Sequence, residues 1–186
     1  HQVAGILGRP IEFYLGLKGA EKQRRIIDLL DMVELSPDFS GRYPMELSGG
    51  QKQRINLARA LAGNPEIILC DEVTSALDTI VGANVINLLR SLRKETGVSF
   101  VFISHDISTV ASFADRIVVL YGGRVVEQGT TNEVLSPPFH PYTKLLIMSV
   151  PEMQIGWLDS TTEDRDKANA EFYDWKENEE LVYLGD

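Results

Sequence analysis

The chain lacks most of what would lock or anchor it from outside its own packing. It holds one cysteine among 186 residues, so no disulfide framework is available, which argues for a reducing compartment. That residue, Cys70, ends the apolar run Ile67-Ile68-Leu69-Cys70, where a buried thiol is inert rather than nucleophilic. No apolar run approaches the roughly 20 residues that a membrane span requires, and no signal peptide opens the sequence. Any membrane role therefore has to come through a partner. Positive charge is also scarce: the formal net charge is −9, and residues 159–186, with ten acids against three bases, supply −7 of it. The rest is nearly balanced, which speaks against a nucleic-acid-binding surface and leaves room for a local phosphate site. There is no start methionine, and His1 to Leu7 shows no strand pattern, so the N-terminus reads as a cut edge.

What is present suffices for one core, at 44% apolar content over 186 residues, and so for one domain. The organising stretch is Leu47-Ser48-Gly49-Gly50-Gln51-Lys52-Gln53-Arg54. Ser48 with Gln51 three residues on has the capping-box spacing that starts a helix. Two glycines in that first turn cost roughly 1 kcal/mol each against alanine, and close approach of an anion to bare amides at the positive end of the helix dipole offsets such a cost. An ordinary capped helix is the alternative. Ile55, Ala58, Leu61 and Ala62 then recur at helical spacing, and Gly63-Asn64-Pro65 stops the helix. Upstream, Pro10 to Leu17 reads as a short helical segment. Ile26, Leu29, Leu30 and Val33 give a second helix, ended by Ser36-Pro37, whose other side carries Glu21, Lys22, Arg24, Arg25 and Asp28.

From Glu66 strands and helices alternate. Ile67 to Cys70 reads as a parallel strand covered on both faces, and Ala83 to Lys94 as a helix. Val98 to Ile103 is a second strand and Ile107 to Phe113 a short helix. Ile117 to Tyr121 and Arg124 to Glu127 flank Gly122-Gly123, a hairpin signal. Thr130-Thr131-Asn132-Glu133 opens another capped helix, and a helix from Tyr142 to Val150 follows a proline-stiffened turn. In open α/β sheets ligands bind beyond the carboxyl ends of strands, where Asp71 and Glu72 fall and where His105 follows the second strand. A pair of acids there also serves to cap a turn, and a lone histidine also serves structure.

Leu47 to Gln51 is identical to the signature motif of ATP-binding cassette ATPases, and other landmarks resemble that family in its order. Ile67 to Glu72 resembles the Walker B strand with its catalytic glutamate. Ser75-Ala76-Leu77-Asp78 matches the D-loop, and Ile103-Ser104-His105-Asp106 the switch histidine. The resemblance implies an α/β, incomplete P-loop NTPase core with a helical subdomain and a C-terminal hairpin and helix extension. It implies ATP and Mg²⁺ as ligands, with Asp71 holding the metal through its waters and Glu72 as the general base that polarises the attacking water. His105 contacts the terminal phosphate, and Asp78 links the two subunits' sites. Ser48, Gly49, Gly50 and Gln51 touch the ATP held by a second ATPase subunit, in a homo- or heterodimer. Transmembrane permease subunits are the implied further partners, with the ATPase peripheral at the inner face of the membrane and bound to it only through them. Val73 departs from the family's usual proline, which alters turn stiffness rather than chemistry.

No Gly-x-x-x-x-Gly-Lys-Ser/Thr loop occurs in the chain, and the family's glutamine loop and adenine-stacking aromatic precede the signature by more than this chain allows. Without the loop's amides, lysine and hydroxyl, the chain alone is expected to bind ATP weakly and not to turn it over, and the resemblance covers the C-terminal two thirds of a cassette. The string Ser136 to Met153 is similar to the segment following the cassette in the oligopeptide, dipeptide and nickel importer branch. Division into a helical signature subdomain (1–65), a Walker B and H-loop part (66–135), an importer-type segment (136–156) and an acidic tail (157–186) follows. The tail is expected to be solvated, although Phe172, Tyr173, Trp175, Leu181, Val182, Tyr183 and Leu184 suggest that part of it docks. The function this implies is the ATP-hydrolysing subunit of a peptide-type importer. A non-transport ATPase of the same superfamily and a non-catalytic dimerisation module are the alternatives, and loss of a sheet neighbour predicts self-association.

Overall fold

Burial rather than propensity starts the first helix of the computed structural model, which describes residues 1–75, 77–150 and 162–183. Helix α1 spans Val3–Leu15 with Pro10 inside it, where a helix beginning only at Pro10 was expected. Val3, Leu7 and Ile11 have no exposure. Burying that stripe outweighs the missing N–H and ring clash of an internal proline, about 3 kcal/mol. Helix α2 (Gly19–Met32) turns Ile26, Leu29 and Leu30 inward, as its periodicity predicts. Helix α3 (Gly49–Leu61) buries Ile55, Leu57, Ala58 and Leu61. Arg54 ties α3 to the end of α2: its Nη1 donates to the Val33 carbonyl at 2.8 Å and to Glu34 Oε2 at 2.6 Å.

Strand β1 (Ile67–Asp71) pairs in parallel with β2 (Ser99–Ile103), with Asp71 opposite Ile103. The crossover is helix α4 (Thr79–Thr96), capped at its start by the Asp78 side chain and closed by Gly97 at φ 71°. The expectation of a sheet covered on both faces is corrected. Ile68 and Cys70 are buried, but Ile67 is 63% and Leu69 65% exposed, with Val101 at 49% and Ile103 at 45%. A parallel sheet is covered twice only when crossovers lay helices on both sides, and these two strands have one crossover between them. These elements belong to one unit, His1–Ser104; His105–Asp186 form another. The 65/66 division read from the sequence falls inside the first unit, between α3 and β1.

In the second unit, helix α5 (Ile107–Phe113) precedes an antiparallel hairpin of β3 (Arg116–Tyr121) and β4 (Arg124–Thr130). The strands meet at Gly122 and Gly123, whose φ values of 56° and 80° are those of a tight hairpin turn that only glycine adopts at no steric cost. Helix α6 (Thr131–Val134) opens with the expected capping box of Thr130 and Glu133. Ile117, Val119 and Val134 form the buried centre. Helix α7 (Pro141–Met148) is capped by His140 Nδ1, which accepts from the Tyr142 N–H at 3.1 Å.

Within the acidic tail, the described residues 162–183 are helical and dock, as the aromatics suggest. Helix α8 (Thr162–Tyr183) packs on α7, with Ala168 fully buried. Trp175 meets His140 edge-on at 4.5 Å between ring centres, and Tyr121 lies 5.3 Å from Phe172 and 5.6 Å from Trp175. Lys144 and Glu171 pair at 2.6 Å. Aromatics three and four residues apart share one helix face, and burying them offsets the repulsion among the acids opposite. Tyr173, by contrast, is 60% exposed. Ala76, Pro151 to Met153, the 156/157 division and Leu184 lie outside the described residues, as do the side chains of Leu181, Val182 and Tyr183.

Candidate functional site

Ser48 makes both halves of the expected capping box. Its Oγ accepts from the Gln51 N–H at 3.3 Å, and its own N–H donates to Gln51 Oε1 at 3.0 Å. The first N–H groups of a helix have no partner within it, and those of Gly49 and Gly50 have no acceptor among the described residues. Ser48 and Gly49 are exposed, and Gly50 and Gln51 half-buried. The turn is thus open to a ligand rather than sealed inside its own subunit, and it carries the positive end of the α3 dipole.

The two glycines have different reasons to be glycine. A Cβ on Gly49 would sit 3.5 Å from Leu77 Cδ2, an ordinary contact, whereas a Cβ on Gly50 would sit 2.7 Å from Val81 Cγ1. Close approach of α4 is therefore sufficient cause for Gly50, and the bare-amide argument is needed only for Gly49. Sequence reasoning missed Val81 and the contact that Leu77 makes; the signal was the second glycine itself, which marks a packed neighbour as readily as a ligand. The contact joins the signature turn to the segment leading into α4. There Asp78 Oδ1 accepts from the Val81 N–H at 3.0 Å, so Asp78 has a local capping role.

Asp71 and Glu72 lie at the carboxyl end of β1, both exposed. Glu72 has φ 47°, an unusual backbone region for a residue with a Cβ. Its N–H donates to the Ile103 carbonyl at 3.0 Å, linking the ends of the two strands. Just inside that end, burial pushes the Cys70 thiol up to about 11, consistent with an inert thiol.

His105 is the first residue of the second unit, followed by Asp106, the cap of α5. Burial acts to raise the Asp106 pKa. Donors from Thr109 Oγ1 at 2.5 Å and the Ser108 N–H at 2.9 Å, with the neighbouring His105 charge, outweigh it and hold the carboxyl below its ordinary value. The first unit thus gathers Ser48, Gly49, Gly50, Gln51 and Asp78 around one turn, with Asp71 and Glu72 at the strand end. His105 belongs to the other unit.

Among the described residues no group of three or more His, Cys, Asp or Glu side chains could hold a metal. Asp71, an exposed carboxylate at the strand end, fits a magnesium ion that would bring its own waters and phosphate ligands, since that ion is commonly held by one or two carboxylates. No helix among the described residues is long and apolar enough to cross a membrane.

The model of the ABC transporter family matches residues 8–75, and that of the oligopeptide/dipeptide transporter C-terminal region matches residues 126–173. The chain is 42% identical over 152 residues to a dipeptide transport ATP-binding protein of Haemophilus influenzae, covering 82% of this chain and 46% of the relative. It is 49% identical over 133 residues to an oligopeptide transport ATP-binding protein of Streptococcus mutans, covering 72% and 43%. A solved ATP-binding cassette, dimeric in a post-hydrolysis state with ADP and Pi, superposes with a TM-score of 0.61 at 38% identity, covering 70% of this chain and 56% of that one. The chain spans about half the length of the curated relatives it matches.

Proposed function

Because the chain belongs to the ATP-binding cassette family of transporter ATPases and carries its oligopeptide/dipeptide C-terminal region, we propose that it is the signature-bearing and Walker B-bearing part of an importer's ATP-hydrolysing subunit. Oligopeptides or dipeptides are its cargo. The observation that carries the reading is the open first turn of α3. Two amides there have no acceptor, in the same unit as two exposed acids at a strand end.

In this reading Ser48, Gly49, Gly50 and Gln51 hold the triphosphate of ATP bound by a second ATPase subunit. Glu72 takes a proton from the attacking water, a contribution of roughly a hundred- to ten-thousand-fold in rate. Asp71 orients the waters of Mg²⁺, and the ion, when bound, neutralises charge on the phosphates. His105 steadies the attacked phosphate. Asp78 both caps α4 and carries the junction between subunits. Permease subunits supply the membrane part, and with them the location at the membrane's inner face. The four-part division at 65/66, 135/136 and 156/157 belongs to the same proposal.

Supplying what the motif set lacks tests the reading. Isothermal titration of the chain alone with Mg-ATP is expected to show no micromolar binding. Mixed with a phosphate-loop-bearing peptide-importer ATPase subunit, the chain is expected to form an ATP-dependent complex in analytical ultracentrifugation, lost in Ser48→Arg. Association that ignores both ATP and the Ser48→Arg change would overturn it.

A further inference from the structure

Glu72 is held in a backbone conformation that its own side chain disfavours. Residues with a Cβ are crowded at positive φ. Of the three non-glycine residues found there among the described residues, Asn64 is of the type that tolerates it, while Glu34 and Glu72 are not. Such conformations persist only where the surroundings over-determine them, and at Glu72 the surroundings do so. Its N–H is fixed to the Ile103 carbonyl at 3.0 Å, and its carbonyl accepts twice from one residue: the Ser75 N–H at 3.1 Å and the Ser75 hydroxyl at 2.9 Å.

We propose that Ser75 is a positioning residue for Glu72, its paired donors clamping the Glu72 carbonyl so that the residue keeps its left-handed backbone at the strand end. A turn needs only the N–H to close. The hydroxyl adds a second tether to the same oxygen, one that an alanine turn would lack. Because the strand register fixes Asp71 opposite Ile103 and the next amide is bonded to that same Ile103, the clamp sets where the Glu72 side chain departs from a fixed strand end. The consequence for catalysis rests on the reading of Glu72 as the general base; the clamp itself does not.

Urea unfolding of the 186-residue chain tests it. Ser75→Ala is expected to raise the unfolding equilibrium constant about fivefold, the usual worth of one hydrogen bond, and Ser75→Thr, which keeps the hydroxyl, to change it by less than about twofold. In a Glu72→Gly background, where positive φ carries no steric penalty, Ser75→Ala is expected to cost less than about twofold. Native-state hydrogen exchange gives a second readout: the Glu72 amide should exchange faster in Ser75→Ala by a larger factor than the core amides of α2 and α3. Equal cost of Ser75→Ala with and without Glu72→Gly, or uniform acceleration of all protected amides, overturns the proposal and makes Ser75 an ordinary turn residue. Neither outcome touches the ATP-dependent pairing experiment, whose own failure would remove the catalytic consequence and leave the clamp standing.

Discussion

Val81 is the residue that decides what the signature glycines are for. Its χ1 is stiff because it is β-branched, so a methyl added at Gly50, 2.7 Å from Val81 Cγ1, cannot be accommodated by a simple swing of the neighbour. Overpacking of this kind costs about 1–3 kcal/mol, against a helix-propensity gain of up to about 1 kcal/mol from Gly to Ala, so the clash wins. Gly50→Ala is expected to destabilise the chain by about 1–2 kcal/mol in urea unfolding. Adding Val81→Ala should recover most of that loss. Gly49→Ala meets only an ordinary contact at 3.5 Å and should be neutral or slightly stabilising. Equal losses at the two glycines would show that the α3–α4 approach does not set the requirement. The same pair separates folding from ligand binding: in the ATP-dependent mixture, Gly49→Ala should weaken the complex although it leaves folding intact.

Helix α8 shows where sequence patterning stops at the scale of an element. Its acids argue for a solvated segment, but half of its 22 residues are Ala, Leu, Glu, Lys or Arg, which favour a helix. Docking fixes where that helix lies: Phe172 and Trp175 reach Tyr121, and Trp175 reaches His140. Trp175→Ala, at a half-buried position, is expected to cost about 1–2 kcal/mol, below the range for a core aromatic, and to release α8 locally. Far-UV circular dichroism should lose helical signal, and limited proteolysis should cut within 162–183 while amides of the β3–β4 hairpin stay protected. Unchanged proteolysis would mean that the aromatic cluster is not what holds the helix. The elements legible beforehand, α2, α3, α5 and the hairpin, carry their burial stripe or turn residues within a dozen positions. Helix α1 was misread because Pro10 is a local signal while the burial of Val3, Leu7 and Ile11 comes from packing. Helix α4 was read short because its start depends on the Asp78 cap. The signature turn was legible because a capping box is a local device, whereas the Val81 contact and the Glu72 N–H bond to the Ile103 carbonyl depend on where the chain folds back.

At the scale of the whole chain, several exposed apolar side chains lie together on the strands. Ile67, Leu69, Val101 and Ile103 alternate along β1 and β2 and are between 45% and 65% exposed. Among the described residues those two strands pair in the sheet with each other. In the hairpin, Val118, Leu120 and Val125 are at least 54% exposed. Contiguous apolar patches beyond a few hundred Å² are uncommon on monomers and mark surfaces that join another chain. The net charge of −9 opposes association, but most of it belongs to residues 159–186 and not to the strands. The chain, 20.8 kDa as a monomer, is therefore expected to self-associate at tens of micromolar in light scattering. Leu69→Glu with Val101→Glu, placing charge on adjacent strands of the exposed face, should return it to the monomer mass without loss of helical signal, since neither side chain is buried. A wild-type chain that stays monomeric at those concentrations would refute the self-association, and a double variant that still associates would locate the contact away from β1 and β2.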